Sequence, residues 1–123
     1  MKRIETTAAP AAIGPYSQGY VVNGFVFTSG QIPVNPETGV IPEGIQAQAE
    51  QSCKNVGAIL EASGTCFDKV IKTTCYLTDM NDFTEFNEVY ANYFTLCPAR
   101  SCIAVKNLPK NVLCEIEAIA LAE

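Results

Sequence analysis

Two runs near the C-terminal end constrain this chain more than any other feature: Pro98-Ala-Arg-Ser-Cys-Ile-Ala-Val105 and Glu115-Ile-Glu-Ala-Ile-Ala120. Each alternates in side-chain character, as a strand with two unlike faces does. Arg100, Cys102 and Ala104 share one side of the first run, and Ser101, Ile103 and Val105 the other. In the second run Glu115, Glu117 and Ile119 share a side, with Ile116, Ala118 and Ala120 opposite. Between them lies Lys106-Asn-Leu-Pro-Lys-Asn111, rich in turn residues and short enough to return the chain antiparallel. A hairpin closing symmetrically about that turn puts Arg100 opposite or diagonal to Glu117, about 5–8 Å apart between Cβ atoms. One guanidinium and one carboxylate are therefore expected on one face, although a slip of one residue would separate them. Spacing alone describes equally well a cross-strand ion pair of Arg100 with Glu117 or Glu115, a common and individually weak interaction.

Upstream, the period of the pattern changes along the chain. A short first strand is expected from about Arg3 to Thr6. The stretch 8–15, with two prolines and a glycine, reads as a loop that delivers Tyr16 and Ser17. Asn23-Gly24 between two β-rich runs predicts a tight hairpin over 19–28. It ends in Ser29-Gly30-Gln31, where the glycine lets the backbone bend or approach a ligand. Residues 32–42 read as a loop. Ile45, Ala49, Cys53, Val56 and Leu60 recur every three or four residues and predict a helix over about 44–63, stopped by Gly64. Residues 70–77 read as a strand. Asp79 or Asn81 is expected to cap a second helix over about 82–95, with Phe83, Phe86, Tyr90 and Phe94 on its buried face. The order β-β-β-α-β-α-β-β in 123 residues predicts one α+β domain, a sheet with two helices on one face. The other face would carry Ile119, Leu121 and the aromatics of the first hairpin. An apolar sheet face left in water is unfavourable, at roughly 25 cal/mol per Å², so self-association is expected.

Composition narrows the chemistry. The formal net charge of −5 and the scatter of eight Lys and Arg residues speak against a general nucleic-acid surface. There is no histidine, which removes the commonest general base and the commonest metal ligand. The six cysteines form no Cys-x-x-Cys pair, so a zinc site is not expected, and they read as reduced thiols. No secretory pattern and no membrane-spanning run is present, so a cytoplasmic protein is expected. Cys102 shares a face with Arg100, whose charge favours a thiolate. Without histidine to complete a pair, a space-filling role is the commoner outcome. Tyr16 and Ser29 flank bends where polar groups often enter pockets.

Four blocks then bring a family into view: Ile13-Gly-Pro-Tyr-Ser-Gln18, Thr28-Ser-Gly-Gln31, Pro98-Ala-Arg-Ser101 and Glu115-Ile-Glu-Ala-Ile-Ala120. In this order they resemble the signature blocks of the RidA (YjgF) family of enamine/imine deaminases, as does Asn87-Glu-Val-Tyr90. The resemblance runs over essentially the whole chain. It implies a single domain, residues 1–123, with a fold like chorismate mutase of the trimeric type. It also implies homotrimers with pockets between neighbouring subunits, and neither metal nor organic cofactor. Carried over by position, Arg100 grips the substrate carboxylate, Glu117 orients the attacking water, and Tyr16 and Ser29 lie near the reacting group. Gly30 and Cys102 turn backbone groups towards the ligand, and Asn87 lies on the pocket side. The implied reaction is hydrolysis of 2-enamino and 2-imino acids released by pyridoxal-phosphate dehydratases, giving 2-oxo acids and ammonia. Wider branches of the family also allow a non-catalytic 2-oxo-acid-binding module. RNA cleavage or translation inhibition, ascribed to some relatives, is disfavoured here by the acidic balance and the missing histidine.

Overall fold

The structure, a computed structural model, describes residues 1–122. In chain order the strands are β1 (Lys2–Ile4), β2 (Gly19–Val22), β3 (Phe25–Thr28), β4 (Val70–Leu77), β5 (Ala99–Ala104) and β6 (Cys114–Leu121). Helix α1 (Ile45–Ala62) lies between β3 and β4, and α2 (Phe83–Tyr93) between β4 and β5. The six strands form one sheet in the order β1-β2-β3-β6-β4-β5, antiparallel throughout except for β4 and β5. The α+β architecture with two helices on one face is therefore as expected.

Local signals account for most of the elements. Asn23 and Gly24 both take positive φ, 50° and 81°, as the two-residue turn between β2 and β3 requires. The five apolar residues of the α1 stripe are all buried. After α1 the chain leaves the helix through Gly64 at φ 81°. The Asp79 side chain accepts the Asn81 amide at 2.8 Å and starts the turn that feeds α2. Phe86, Tyr90 and Phe94 stack in sequence along α2 and fill the core against the sheet. Two buried polar residues on α1 staple the loop 32–42. Asn55 donates to the carbonyls of Ile32 and Val34, and Gln48 bridges the Pro42 carbonyl and the Leu113 amide.

The expected closing hairpin does not form. Strand β4 lies between β5 and β6, parallel to the first and antiparallel to the second. The cause is the α2 crossover, which returns the chain parallel to β4 and so builds a β-α-β unit. The turn before β6 then carries the last strand over to the far side of β4, where it pairs with β3 as well.

Thr73 is the Cα partner of both Arg100 and Ala118, whereas Thr74 is the partner of both Ser101 and Glu117. Residues in register point to one side of a sheet. Arg100 therefore faces the helix layer, and Glu115 and Glu117 face the opposite, open side. The expectation that Arg100 and Glu117 share a face is overturned by this register. On the open face Phe25, Phe27, Leu121 and Ile103 remain 39%, 43%, 42% and 48% exposed.

Candidate active site

Arg100 sits on the edge strand β5 with its guanidinium turned under α2. Nη1 donates to Asn87 Oδ1 at 2.8 Å. The Cζ atom stands 4.8 Å from the centre of the Tyr90 ring and 5.5 Å from that of Phe83. The Tyr90 hydroxyl is itself held by Thr73 Oγ1 at 2.6 Å, and burial pushes its pKa up to about 12. Among the described residues the one ion pair is Arg3 with Glu5, so no carboxylate neutralises Arg100. A half-buried cation with free N–H donors is an anion site in waiting.

A second group of residues gathers where the chain after β3 runs beside β6. Gln31 bridges to Ile116, while Phe27 pairs with Ile119. Three residues, Thr28, Ser29 and Gly30, thus oppose only Glu117 and Ala118, which makes a β-bulge. Such a bulge re-aims side chains and often sits beside a functional site. Here the Ala118 amide bonds the Thr28 hydroxyl in place of a ladder carbonyl. The Ser29 hydroxyl donates to the Ser17 carbonyl, and the Ser29 amide to the Gln18 carbonyl. Buried Gln18 in turn bonds Thr6, Ala9 and Pro10, pinning the loop that carries Tyr16.

These contacts open a cleft of about 470 Å³ lined by Ile13, Tyr16, Ser29, Gly30, Lys110 and Glu115. The Glu115 carboxylate lies directly over Gly30, where a Cβ would come within 2.8 Å of its Cδ. The glycine leaves room for that carboxylate to lie against the backbone. Burial first, and then the neighbouring Glu117 charge, raise the Glu115 pKa from its ordinary 4.5. Lys110 reaches the cleft from a turn in which it and Asn111 take φ of 56° and 55°, a conformation uncommon for residues with side chains.

Of the residues singled out in the sequence, Tyr16, Ser29 and Gly30 come together in this cleft. Arg100 and Asn87 come together at the other group. Cys102 is half-buried beside them on the helix side of β5, facing Cys75. Glu117 belongs to neither. It lies on the open face, where it accepts the Tyr76 hydroxyl at 3.3 Å. The carboxylate that the bulge presents to the cleft is Glu115, which shares a strand face with Glu117 in the sequence pattern. Phe83 and Tyr90 were legible only as helix core. Within one chain the two groups lie on opposite faces of the sheet, with β4 separating β5 from β6, which is about 10 Å of lateral distance at strand spacing.

A six-stranded mixed sheet with two helices, an arginine without a carboxylate partner on its edge strand and a glutamate desolvated at a bulge define an α+β protein with two separated charged groups. Residues 6–122 match the family model described as Endoribonuclease L-PSP. The chain belongs to that family, the RidA (YjgF) family. It is 52% identical to the Escherichia coli (strain K12) 2-iminobutanoate/2-iminopropanoate deaminase, over 98% of this chain and 97% of the relative. A Lactococcus lactis protein described as a candidate regulator, AldR, is 53% identical over 98% and 97%. The crystal structure of Escherichia coli TdcF with bound serine superposes at a TM-score of 0.96 with 52% identity, covering 98% of both chains.

Proposed function

We propose that this chain hydrolyses reactive 2-enamino and 2-imino acids, such as 2-aminoacrylate, 2-iminopropanoate and 2-iminobutanoate, to 2-oxo acids and ammonia. The observation that carries the reading is the pair of separated charges: a guanidinium with no carboxylate partner, and a carboxylate desolvated over a glycine. The names of the deaminase and of the serine-bound relative support a small amino- or imino-acid ligand. Pyridoxal-phosphate dehydratases acting on serine or threonine are the source of such enamines.

In this reading Arg100 holds the substrate carboxylate through its free N–H donors. The enamine tautomerises to the imine, whose carbon is already electrophilic. Glu115 takes the water-orienting role that the family resemblance carried over to Glu117. It accepts a proton as water adds to the imine carbon and returns it to the nitrogen of the tetrahedral adduct, so that the C–N bond breaks, ammonia leaves, and the adduct hydroxyl gives up its proton to become the 2-oxo group. Its raised pKa brings it closer to the working pH of a general base. Glu117 acts from behind it, adding a like charge on the same strand face. Tyr16 and Ser29 line the reacting end, and the rate gain comes mainly from positioning. No metal or organic cofactor takes part in this reading.

Because one chain keeps its two charges apart, the working site forms between copies, with Arg100 from one subunit and Glu115 from its neighbour. The open face supplies a driving force. Completing the burial of Phe25, Phe27, Ile103 and Leu121 contributes roughly 1 kcal/mol each. We propose three copies, which the family resemblance supports. Among the described residues no helix is long and apolar enough to cross a membrane. We place the protein in the cytoplasm, where its six free thiols stay reduced.

The test is a coupled assay in which a serine or threonine dehydratase generates the imine. The purified protein should accelerate its loss, and Arg100→Ala should abolish that with the fold intact. Full activity in Arg100→Ala would remove the arginine as carboxylate anchor. The regulator-like relative favours a second reading, a 2-oxo-acid sensor. Binding of 2-oxobutanoate without any rate enhancement would select it.

A further inference from the structure

Within its own chain Arg100 is set among neutral groups. Its four close neighbours are the Asn87 amide, the two ring faces of Tyr90 and Phe83, and, behind Tyr90, the Thr73 hydroxyl. None is an anion. The nearby thiols stay neutral as well. Burial pushes Cys75 up to about 12, and raises Cys102 more than Arg100 lowers it.

The parts of this cradle are connected. Thr73 stands opposite Arg100 in the β4–β5 register, and its hydroxyl fixes the Tyr90 ring that lies under the guanidinium. Tyr90 is further held by stacking on Phe94 at 4.3 Å between ring centres. Asn87 sits one turn before Tyr90 on α2 and occupies a single N–H of the five that a guanidinium offers. The cation is thus held in one orientation by hydrogen bonding and ring faces, and it keeps its full charge for a ligand.

We propose that Asn87 and Tyr90 are positioning residues, and that the neutrality of their cradle sets the affinity of this site for carboxylates. Asn87 therefore acts through Arg100 and does not itself bind substrate. The inference rests on the anchor role given to Arg100 above. An aspartate at position 87 would convert the hydrogen bond into an ion pair that competes with the substrate carboxylate. Loss of the amide altogether would free the guanidinium to swing.

The experiment compares wild type with Asn87→Asp, Asn87→Ala and Arg100→Ala, using 2-oxobutanoate as binding probe and the coupled imine assay for kinetics. Thermal melts of each variant confirm folding. Asn87→Asp is expected to raise KM and the 2-oxobutanoate Kd tenfold or more, while kcat changes by less than threefold. Asn87→Ala is expected to raise both constants three- to tenfold. A purely structural asparagine would shift the melt and leave KM alone, and that outcome overturns the cradle. Equal behaviour of wild type and Arg100→Ala would overturn the anchor role and the cradle with it. A defect in Arg100→Ala beside a wild-type KM in Asn87→Asp would overturn the cradle only.

Discussion

Replacing Gly30 by alanine separates activity from stability at a single atom. The φ of Gly30 lies outside the left-handed region, so alanine can adopt the backbone without strain. The added methyl meets the Glu115 side chain first, with Oε2 the nearest atom and Cδ at 2.8 Å. Ordinary contact between such atoms needs about 3.5–4.0 Å, and the carboxylate oxygen is nearer still, so the carboxylate must retreat by more than about 1 Å. A carboxylate at the end of a rotatable side chain in an open cleft moves that far cheaply, and stability should change by about 0.5 kcal/mol or less. Catalysis has no such freedom, because a misplacement of about 1 Å can cost on the order of 100-fold in rate. The expected result is a melting curve like that of wild type with kcat down about 100-fold in the coupled imine assay. Combining Gly30→Ala with Glu115→Gln should add little to the loss from Glu115→Gln alone, since both remove the same placed carboxylate. Gly30→Ala retaining activity within threefold would refute the assignment of Glu115 as the group that places water.

Two further outcomes follow from the geometry. Glu115 holds its proton more tightly folded than unfolded, so its stabilising contribution is full below the unfolded value of 4.5 and is lost as pH rises through the raised folded value. Glu115→Gln should flatten that part of the stability–pH curve measured by denaturant titration, and activity in the wild type should rise over the same interval as the carboxylate ionises. Phe27→Asp puts a charge on the open sheet face, and light scattering should then report the 13.2 kDa chain in place of a closed oligomer, with activity lost in parallel.

What the sequence discloses and what it hides divide along physical lines. Local chemistry was legible: the Asn23-Gly24 turn, the α1 stripe, the two-faced character of β5 and β6, and the bare apolar face with Phe25 and Phe27. Each depends on residues within one element and its immediate turn. The pairing of β5 and β6 was misread because alternation reports two faces and says nothing about neighbours. The strand that intervenes, β4, reads equally well at an edge or in the centre. That error placed Arg100 on the wrong side of the sheet. The choice between Glu115 and Glu117 was hidden for a related reason. Both fall on one face, and only the bulge at Ser29-Gly30, set by a non-local mismatch of one residue, decides which enters the cleft. Asn87 and Tyr90 carried a helix pattern that could not show a guanidinium between them.

The central claim, that the working site joins Arg100 of one subunit to Glu115 of another, is tested most directly by mixing two inactive variants. Arg100→Ala and Glu115→Ala, unfolded together in equal amounts and refolded, should form mixed oligomers. With random assembly a site is complete when its arginine comes from one variant and its glutamate from the other, so about one quarter of wild-type activity should return. Activity that stays at the level of the separate variants, in oligomers shown to be mixed, would mean that both groups act from the same chain.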